Sequence, residues 1–172
     1  MDDLNSALDA NRLGALWATL DLRMAATMDD YSASSTAILL TVRYRAPITI
    51  SDLAAIVGFS QPACSRAVDK LVKARLIEKT PGLGNEVGLS LTDDGGRRAD
   101  QLQTRRLESL SMLLNALHPD EREAFGRMVD KLLVAPVTGR AYARSVCRYC
   151  DHEACDGLDC PIGCAAAVFE TS

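Results

Sequence analysis

The residues best equipped for chemistry stand near the C-terminus. There Cys147, Cys150, Cys155 and Cys160 follow one another as C-x2-C-x4-C-x4-C, with Pro161 directly after and Cys164 beyond. Four thiolates in so short a run suffice to surround one ion tetrahedrally, and Cys147-Arg148-Tyr149-Cys150 has the length of a tight turn that presents two sulfurs together. Gly157 relieves the backbone between the third and fourth ligands. The spacing is that of a zinc knuckle with cysteine in place of histidine. A cysteine followed by proline at the end of a four-cysteine run is also a feature of iron–sulfur sites. Zinc is the expected cofactor and an iron–sulfur cluster on the same four cysteines is the alternative, with Cys164 as the spare thiol and His152 facing solvent. Five of the six cysteines fall within the eighteen residues from Cys147 to Cys164, a density that speaks against an idle free-thiol tail. A thiol oxidoreductase built on Cys147 and Cys150 would need a surrounding βαβ pattern, which is missing. Hydrolytic catalysis has little to work with, because His118 and His152 are the only histidines and His118 reads as a helix cap before Pro119. The chain is therefore not expected to be an enzyme.

A second set of residues suits nucleic acid. From Ser60 to Ala74, SQPACSRAVDKLVKA, Ser60 is a good N-cap, and Gln61 and Pro62 fill a first turn where a missing amide costs little. Ala63, Ala67, Leu71 and Ala74 recur at three- and four-residue spacing and are expected to face inward. The opposite face carries Gln61, Ser65, Arg66, Asp69, Lys70 and Lys73, a polar first half suited to base edges followed by cations suited to phosphates. Cys64, one turn before Val68, falls on the buried side as an inert core thiol. The formal net charge of −4 argues against indiscriminate coating of nucleic acid. Between Gln61 and Lys79, however, Arg66, Lys70, Lys73, Arg75 and Lys79 oppose only Asp69 and Glu78. Any DNA contact is confined to that face.

The neighbouring stretches position this helix. Ile50 to Phe59 reads as a short helix capped by Ser51 and ended by Gly58. Leu76-Ile77-Glu78-Lys79-Thr80 and Glu86-Val87-Gly88-Leu89-Ser90-Leu91 are strand-like runs flanking Pro81-Gly82-Leu83-Gly84-Asn85, and so form a hairpin. Ile48 to Ile50 can add a short third strand. Helix, tight turn, helix and wing in that order is a DNA-binding arrangement. The expected fold is mainly α: a winged helix-turn-helix with a two- or three-stranded wing and long dimerisation helices at both ends.

The residues from Asp52 to Gly95 resemble the MarR family of bacterial transcriptional regulators. The resemblance is carried by Asp52-Leu53-Ala54, Gly58-Phe59-Ser60-Gln61-Pro62-Ala63, Ser65-Arg66-Ala67-Val68-Asp69-Lys70-Leu71, Leu76-Ile77-Glu78 and Leu89-Ser90-Leu91-Thr92-Asp93-Asp94-Gly95. It implies binding to duplex DNA through Ser60, Gln61, Pro62, Ser65, Arg66, Lys70, Lys73 and the wing residue Asn85, with repression as the outcome. The family's Asp-x-Arg wing tip falls on Leu83-Gly84-Asn85, so the arginine that usually enters the minor groove is missing. The family often holds a small aromatic or acidic effector between its dimer helices and winged domain, which would put Trp17, Tyr31, Arg43 and Tyr44 around that ligand. A zinc-dependent protein-interaction module without DNA binding is the competing reading, favoured by the acidic balance and the missing wing arginine.

The flanks complete the organisation: 1–33 as an N-terminal dimerisation helix, 34–92 as the winged domain, 93–136 as C-terminal dimerisation helices and 137–172 as the Cys-rich tail. The first helix, Leu4 to Met28, carries Leu13, Leu16, Trp17, Leu20 and Met24 on one stripe, too apolar to face water alone. The next runs from Ser34 or Ser35 to Tyr44 and stops before Pro47. Thr92 caps a long helix to about Leu117, whose start Gly95 and Gly96 weaken, with Leu107, Leu110, Leu113, Leu114 and Leu117 as its apolar stripe. Pro119 opens another, with Phe125, Met128, Val129, Leu132 and Leu133 as its buried side, ending at Pro136. So much apolar surface implies a homodimer, with two reading heads about one DNA turn apart on a pseudo-palindromic operator. No apolar run approaches the ~18 residues of a membrane span and Met1 to Ala10 is acidic, so a cytoplasmic location is expected. The tail's own charge, Asp151, Glu153, Asp156, Asp159 and Glu170 against Arg148, points it toward basic residues such as Arg140 and Arg144 and away from DNA.

Overall fold

The structure is a computed structural model that describes residues 2–28, 31–81, 87–155 and 157–170. Its helices are α1 (Asp2–Ala26), α2 (Ala33–Arg45), α3 (Ile50–Val57), α4 (Gln61–Lys73), α5 (Asp93–Leu114), α6 (Pro119–Val134), α7 (Arg140–Val146) and α8 (Pro161–Ala167), and its strands β1 (Ile48–Thr49), β2 (Ile77–Pro81) and β3 (Val87–Leu91). The strands form one antiparallel sheet in the order β1-β3-β2. Ile48 lies opposite Leu89, and Ile77 opposite Leu91. The expected third strand is present. The proposed wing residue Asn85 lies outside the described residues.

Helix α2 is the hub. Thr36 through Val42 are all buried, a run without a wet face, as a helix surrounded by others requires. It starts at Ala33, one or two residues earlier than expected, because the Ser32 hydroxyl accepts the Ser35 N–H at 3.1 Å. It ends where Pro47 forbids helical backbone at Ala46. Around it Ile38, Leu39, Leu53, Cys64, Val68, Ile77, Leu89 and Leu102 close one core.

Three local expectations are corrected. Helix α3 is capped by Thr49, whose Oγ1 accepts the Asp52 N–H at 3.1 Å, and not by Ser51. A cap needs extended backbone, which Thr49 has as the last residue of β1, whereas Ser51 is already helical. On α4 the buried stripe is Cys64, Val68 and Leu71, while Ala74 is exposed and Ala63 and Ala67 only half-buried. The bulkier side chains take the core because they remove more apolar area from water per position. On α6 none of the five expected residues is buried, and Met128 and Leu132 stand exposed.

The start of α5 is pinned to the end of α4. Arg75 adopts φ 58°, the left-handed backbone that turns the chain from α4 into β2. Thr92 then ties that turn to α5: its hydroxyl donates to the Arg75 carbonyl at 2.7 Å and accepts the Gly95 N–H at 3.0 Å, and its own N–H donates to the Leu76 carbonyl at 3.1 Å. Thr92→Ala removes both hydroxyl bonds and should lower stability by about 1 kcal/mol. In urea the midpoint should fall with an unchanged slope; a midpoint equal to that of the native chain would deny the cap its role.

Among the described residues no helix is long and apolar enough to cross a membrane. The tail, α7, α8 and the single turns between them, has its own small cluster of Val137, Ala143, Cys147, Ile162 and Ala166, and packs on α2, α3 and α6.

Candidate functional site

Helix α4 presents its polar face to the outside. Gln61, Pro62, Arg66, Lys70 and Lys73 are exposed and Ser65 is half-buried. Ser60 occupies the N-cap position with extended backbone, yet its hydroxyl makes no capping bond, which leaves it on the open surface with Gln61. The Gly58 cap of α3, at φ 75°, makes the turn into α4 tight enough to hold the two helices as a pair. Asp69 does not oppose the cations of this face unchecked, because Lys79 of β2 donates to its Oδ1 at 3.2 Å. The structure therefore gathers Ser60, Gln61, Pro62, Arg66, Lys70 and Lys73 along one surface. Cys64 lies fully inside, and burial pushes its thiol up from the ordinary range, as an inert core thiol requires.

The four residues assigned to an effector do not share one cleft, although the Arg43 guanidinium lies 5.6 Å from the centre of the Tyr44 ring. Trp17 is 68% exposed on α1. Tyr31 lies against the winged core under the Arg98 guanidinium, 4.7 Å from its ring centre. Arg43 lines a cleft beside Asp93, Gly96 and Asp100, while Tyr44 lines a different one beside Pro47 and Asp52. Burial and the neighbouring Asp151 push the Tyr44 hydroxyl up to about 12, so it stays protonated.

At the tail, Cys147–Tyr149 forms a single 3₁₀ turn closed by the Cys150 N–H on the Cys147 carbonyl at 3.0 Å, the tight turn expected of the first cysteine pair. The mutual influence of the two thiols, with Arg106 and Arg45 nearby, holds Cys150 down to about 6 while Cys147 is pushed up. Cys147, Cys155, Cys160 and Cys164 line one open cavity of about 550 Å³ together with Arg45, Arg140, Arg144 and His152. The Cys160 sulfur accepts the Gly163 N–H at 3.2 Å, whereas the exposed Cys164 thiol donates to the Gly157 carbonyl at 3.5 Å. Among the described residues no three histidine, cysteine or acidic side chains converge as a single ion demands.

His152 is not the solvent-facing residue expected. It is half-buried, its Nε2 lies 3.4 Å from both Arg45 Nη2 and the Cys147 carbonyl oxygen, and its ring stacks at a tilt on Tyr44, 5.4 Å between centres. Arg45 and Arg106 escaped sequence reasoning because each comes to the cysteines from a distant helix, with no local signal. The tail is tied to the winged body by Arg43, which donates to Asp100 at 2.8 Å and Glu153 at 3.4 Å, and by Tyr149, which donates to the Ala33 carbonyl at 3.1 Å. Arg140 meets Glu170 through two bonds of 2.8 and 2.7 Å, as the tail's charge anticipated.

The comparisons with known proteins agree with this geometry. A model described as MarR family matches residues 30–84. The YusO protein of Bacillus subtilis superposes with a TM-score of 0.66 at 22% identity, over 78% of this chain and 98% of its own. A MarR family protein of Bacillus stearothermophilus gives 0.69 at 19% identity, over 77% and 95%. A Mycobacterium tuberculosis MarR family protein in complex with p-aminosalicylic acid gives 0.57 at 18% identity, over 72% and 96%. No curated protein sequence matches the chain. With an exposed, cationic second helix and a three-stranded wing, this chain has the winged-helix fold of the MarR family proteins on which it superposes.

Proposed function

We propose that the chain is a homodimeric, sequence-specific DNA-binding regulator, acting as a repressor, whose cysteine-rich tail holds a metal ion or cluster. The observation that carries the DNA-binding reading is the outer face of α4, where Gln61 and Arg66 precede Lys70 and Lys73 on one exposed surface. In this reading the first two, with Ser60 and Ser65, meet base edges in the major groove, and the lysines meet phosphates. The pairing supports a dimer as well: α1 leaves Leu13, Leu16 and Trp17 uncovered and α6 leaves Met128 and Leu132 uncovered, a surface that a second copy would bury. A small aromatic or acidic effector belongs to the same reading, supported by the neighbour solved with p-aminosalicylic acid.

The test is fluorescence anisotropy with duplexes from the gene's own upstream region. Arg66→Ala should cost about 1–3 kcal/mol on the preferred duplex and relax its discrimination. Lys73→Ala should weaken all duplexes alike and reduce the salt slope by about one. Absence of binding to every upstream fragment at low salt would end this reading and favour a protein-interaction module, which the net charge of −4 would suit.

A further inference from the structure

We infer that the cavity between the tail and the winged domain binds a small phosphate monoester, held by Arg45 and Arg144. Two guanidinium groups carry this site, independently of the metal-holding and DNA-binding readings. Arg45 ends α2 in the winged body and Arg144 lies in the last turn of α7 in the tail, so the two cations reach the space from different parts of the chain. Among the described residues no three histidine, cysteine or acidic side chains converge, so the thiols of this cavity are walls and its cations set what it attracts. Trp17, Tyr31, Arg43 and Tyr44, expected around an aromatic or acidic effector, are all absent from its lining.

Three observations point to a compact dianion. The first is charge. Arg45, Arg140 and Arg144 line the cavity, and Glu170 is the only acid among its lining residues. Both oxygens of Glu170 are taken by Arg140, at 2.8 and 2.7 Å. Among the described residues neither Arg45 nor Arg144 makes an ion pair. The neighbouring cleft, which both also border, contributes Asp52, whose carboxylate accepts the Thr49 hydroxyl at 3.0 Å. Glu153 goes to Arg43, and Cys150, whose thiolate Arg106 and Arg45 favour, lies outside the lining. Two positive charges are left over.

The second is proximity. Burial, and after it the charge of Arg144, lower the proton affinity of Arg45. A guanidinium keeps its proton all the same, so such crowding is relieved by an anion between the two cations. A phosphate monoester concentrates about −1.5 to −2 charges on one tetrahedral group whose oxygens accept from both arginine forks. A single carboxylate would cancel one cation only, and a dicarboxylate would spread its two charges apart. The third is room. The cavity holds about 550 Å³, more than a phosphate group fills, and Ala143, Gly157 and Ala167 leave the remainder free for an organic portion. Because one cation belongs to the body and the other to the tail, the bound anion would also fasten the tail in place.

The experiment is equilibrium dialysis of the full chain with radiolabelled inorganic phosphate, with glycerol 3-phosphate and succinate as competitors. One phosphate per chain is expected, with a dissociation constant below about 1 mM. Glycerol 3-phosphate should displace it, and succinate should be at least about ten-fold less effective. Arg144→Gln should weaken phosphate binding roughly 10-fold to 100-fold, the loss of one charge-assisted donor group. Arg144 is exposed, so its replacement spares the fold. Arg127→Gln, which removes an exposed cation paired with Glu123 outside the cavity, should change nothing. No saturable phosphate binding, succinate as effective as the phosphates, or binding untouched by Arg144→Gln would each overturn the site. Anisotropy with duplex DNA separates a metabolite from the DNA backbone: Arg144→Gln should leave duplex affinity and its salt slope unchanged. A uniform loss across duplexes would assign these cations to DNA and overturn the site as well. Zinc and iron are measured in the same samples, so the metal-holding reading is scored separately.

Discussion

Replacing Gly95 by alanine is expected to destabilise the protein by roughly 3 kcal/mol. A Cβ built at this position would lie 1.9 Å from the Leu76 carbonyl oxygen and 2.8 Å from its carbon. Both are backbone atoms, so no side chain can swing aside to make room. Leu76 itself is fixed, because its carbonyl accepts the Thr92 N–H and its N–H donates to the Leu71 carbonyl at 2.9 Å. The clash must then be relieved by moving the start of α5 away from the wing, at the cost of the Thr92 bonds. Gly96, one residue along, meets nothing within 4 Å of an added Cβ, so Gly96→Ala provides the control. It should be neutral or slightly stabilising, since alanine is the better helix former. Urea denaturation of the two variants settles the matter, and equal midpoints would show that the close approach is not needed.

The second large effect concerns assembly. The native chain should sediment as a dimer, and Trp17→Asp should weaken that dimer by about 2–4 kcal/mol, or roughly 30-fold to 1,000-fold in dissociation constant. Trp17 is 68% exposed in the single chain and shares its stripe with Leu13 and Leu16, which are also uncovered. An aspartate there would have to be buried without a partner when two copies meet. Because the residue touches little within its own chain, the isolated fold should survive, and far-UV circular dichroism should be unchanged. Operator affinity should fall with the dimer, since half-sites are then bound one at a time. An unaltered sedimentation profile for Trp17→Asp would place the interface elsewhere.

Much of this architecture was legible because its signals are local. Gly58 ends and Thr92 starts a helix through bonds to residues at most four positions away, and Pro47 and Pro119 do so through the steric demands of their own rings. Where two candidates stood close together the reading wavered. Thr49 and Ser51 both carry a hydroxyl, and only the pairing of β1 with β3 decides which one keeps the extended backbone of a cap. On α4 the alanines and the Cys64-Val68-Leu71 set share the same spacing, so periodicity could not tell them apart and side-chain volume did. Gly95 looked like a weak point because a helix pays for glycine. Its reason lies nineteen residues upstream, at Leu76. The surroundings of the cysteines were the least legible of all: His152 and Arg45 meet across 107 positions of sequence.

The knot at Arg75, Leu76, Thr92 and Gly95 has a mechanical consequence. It ties the turn that follows α4 to the first turn of α5 with backbone contact and three hydrogen bonds. A long shaft gripped at one end by a pointer transmits any swing of its axis undiminished. A tilt of α5, whether from a ligand wedged beside it or from a change in how two shafts cross, would therefore pull directly on the backbone that ends α4, and the protein gains a gear where its sequence seemed to offer a hinge.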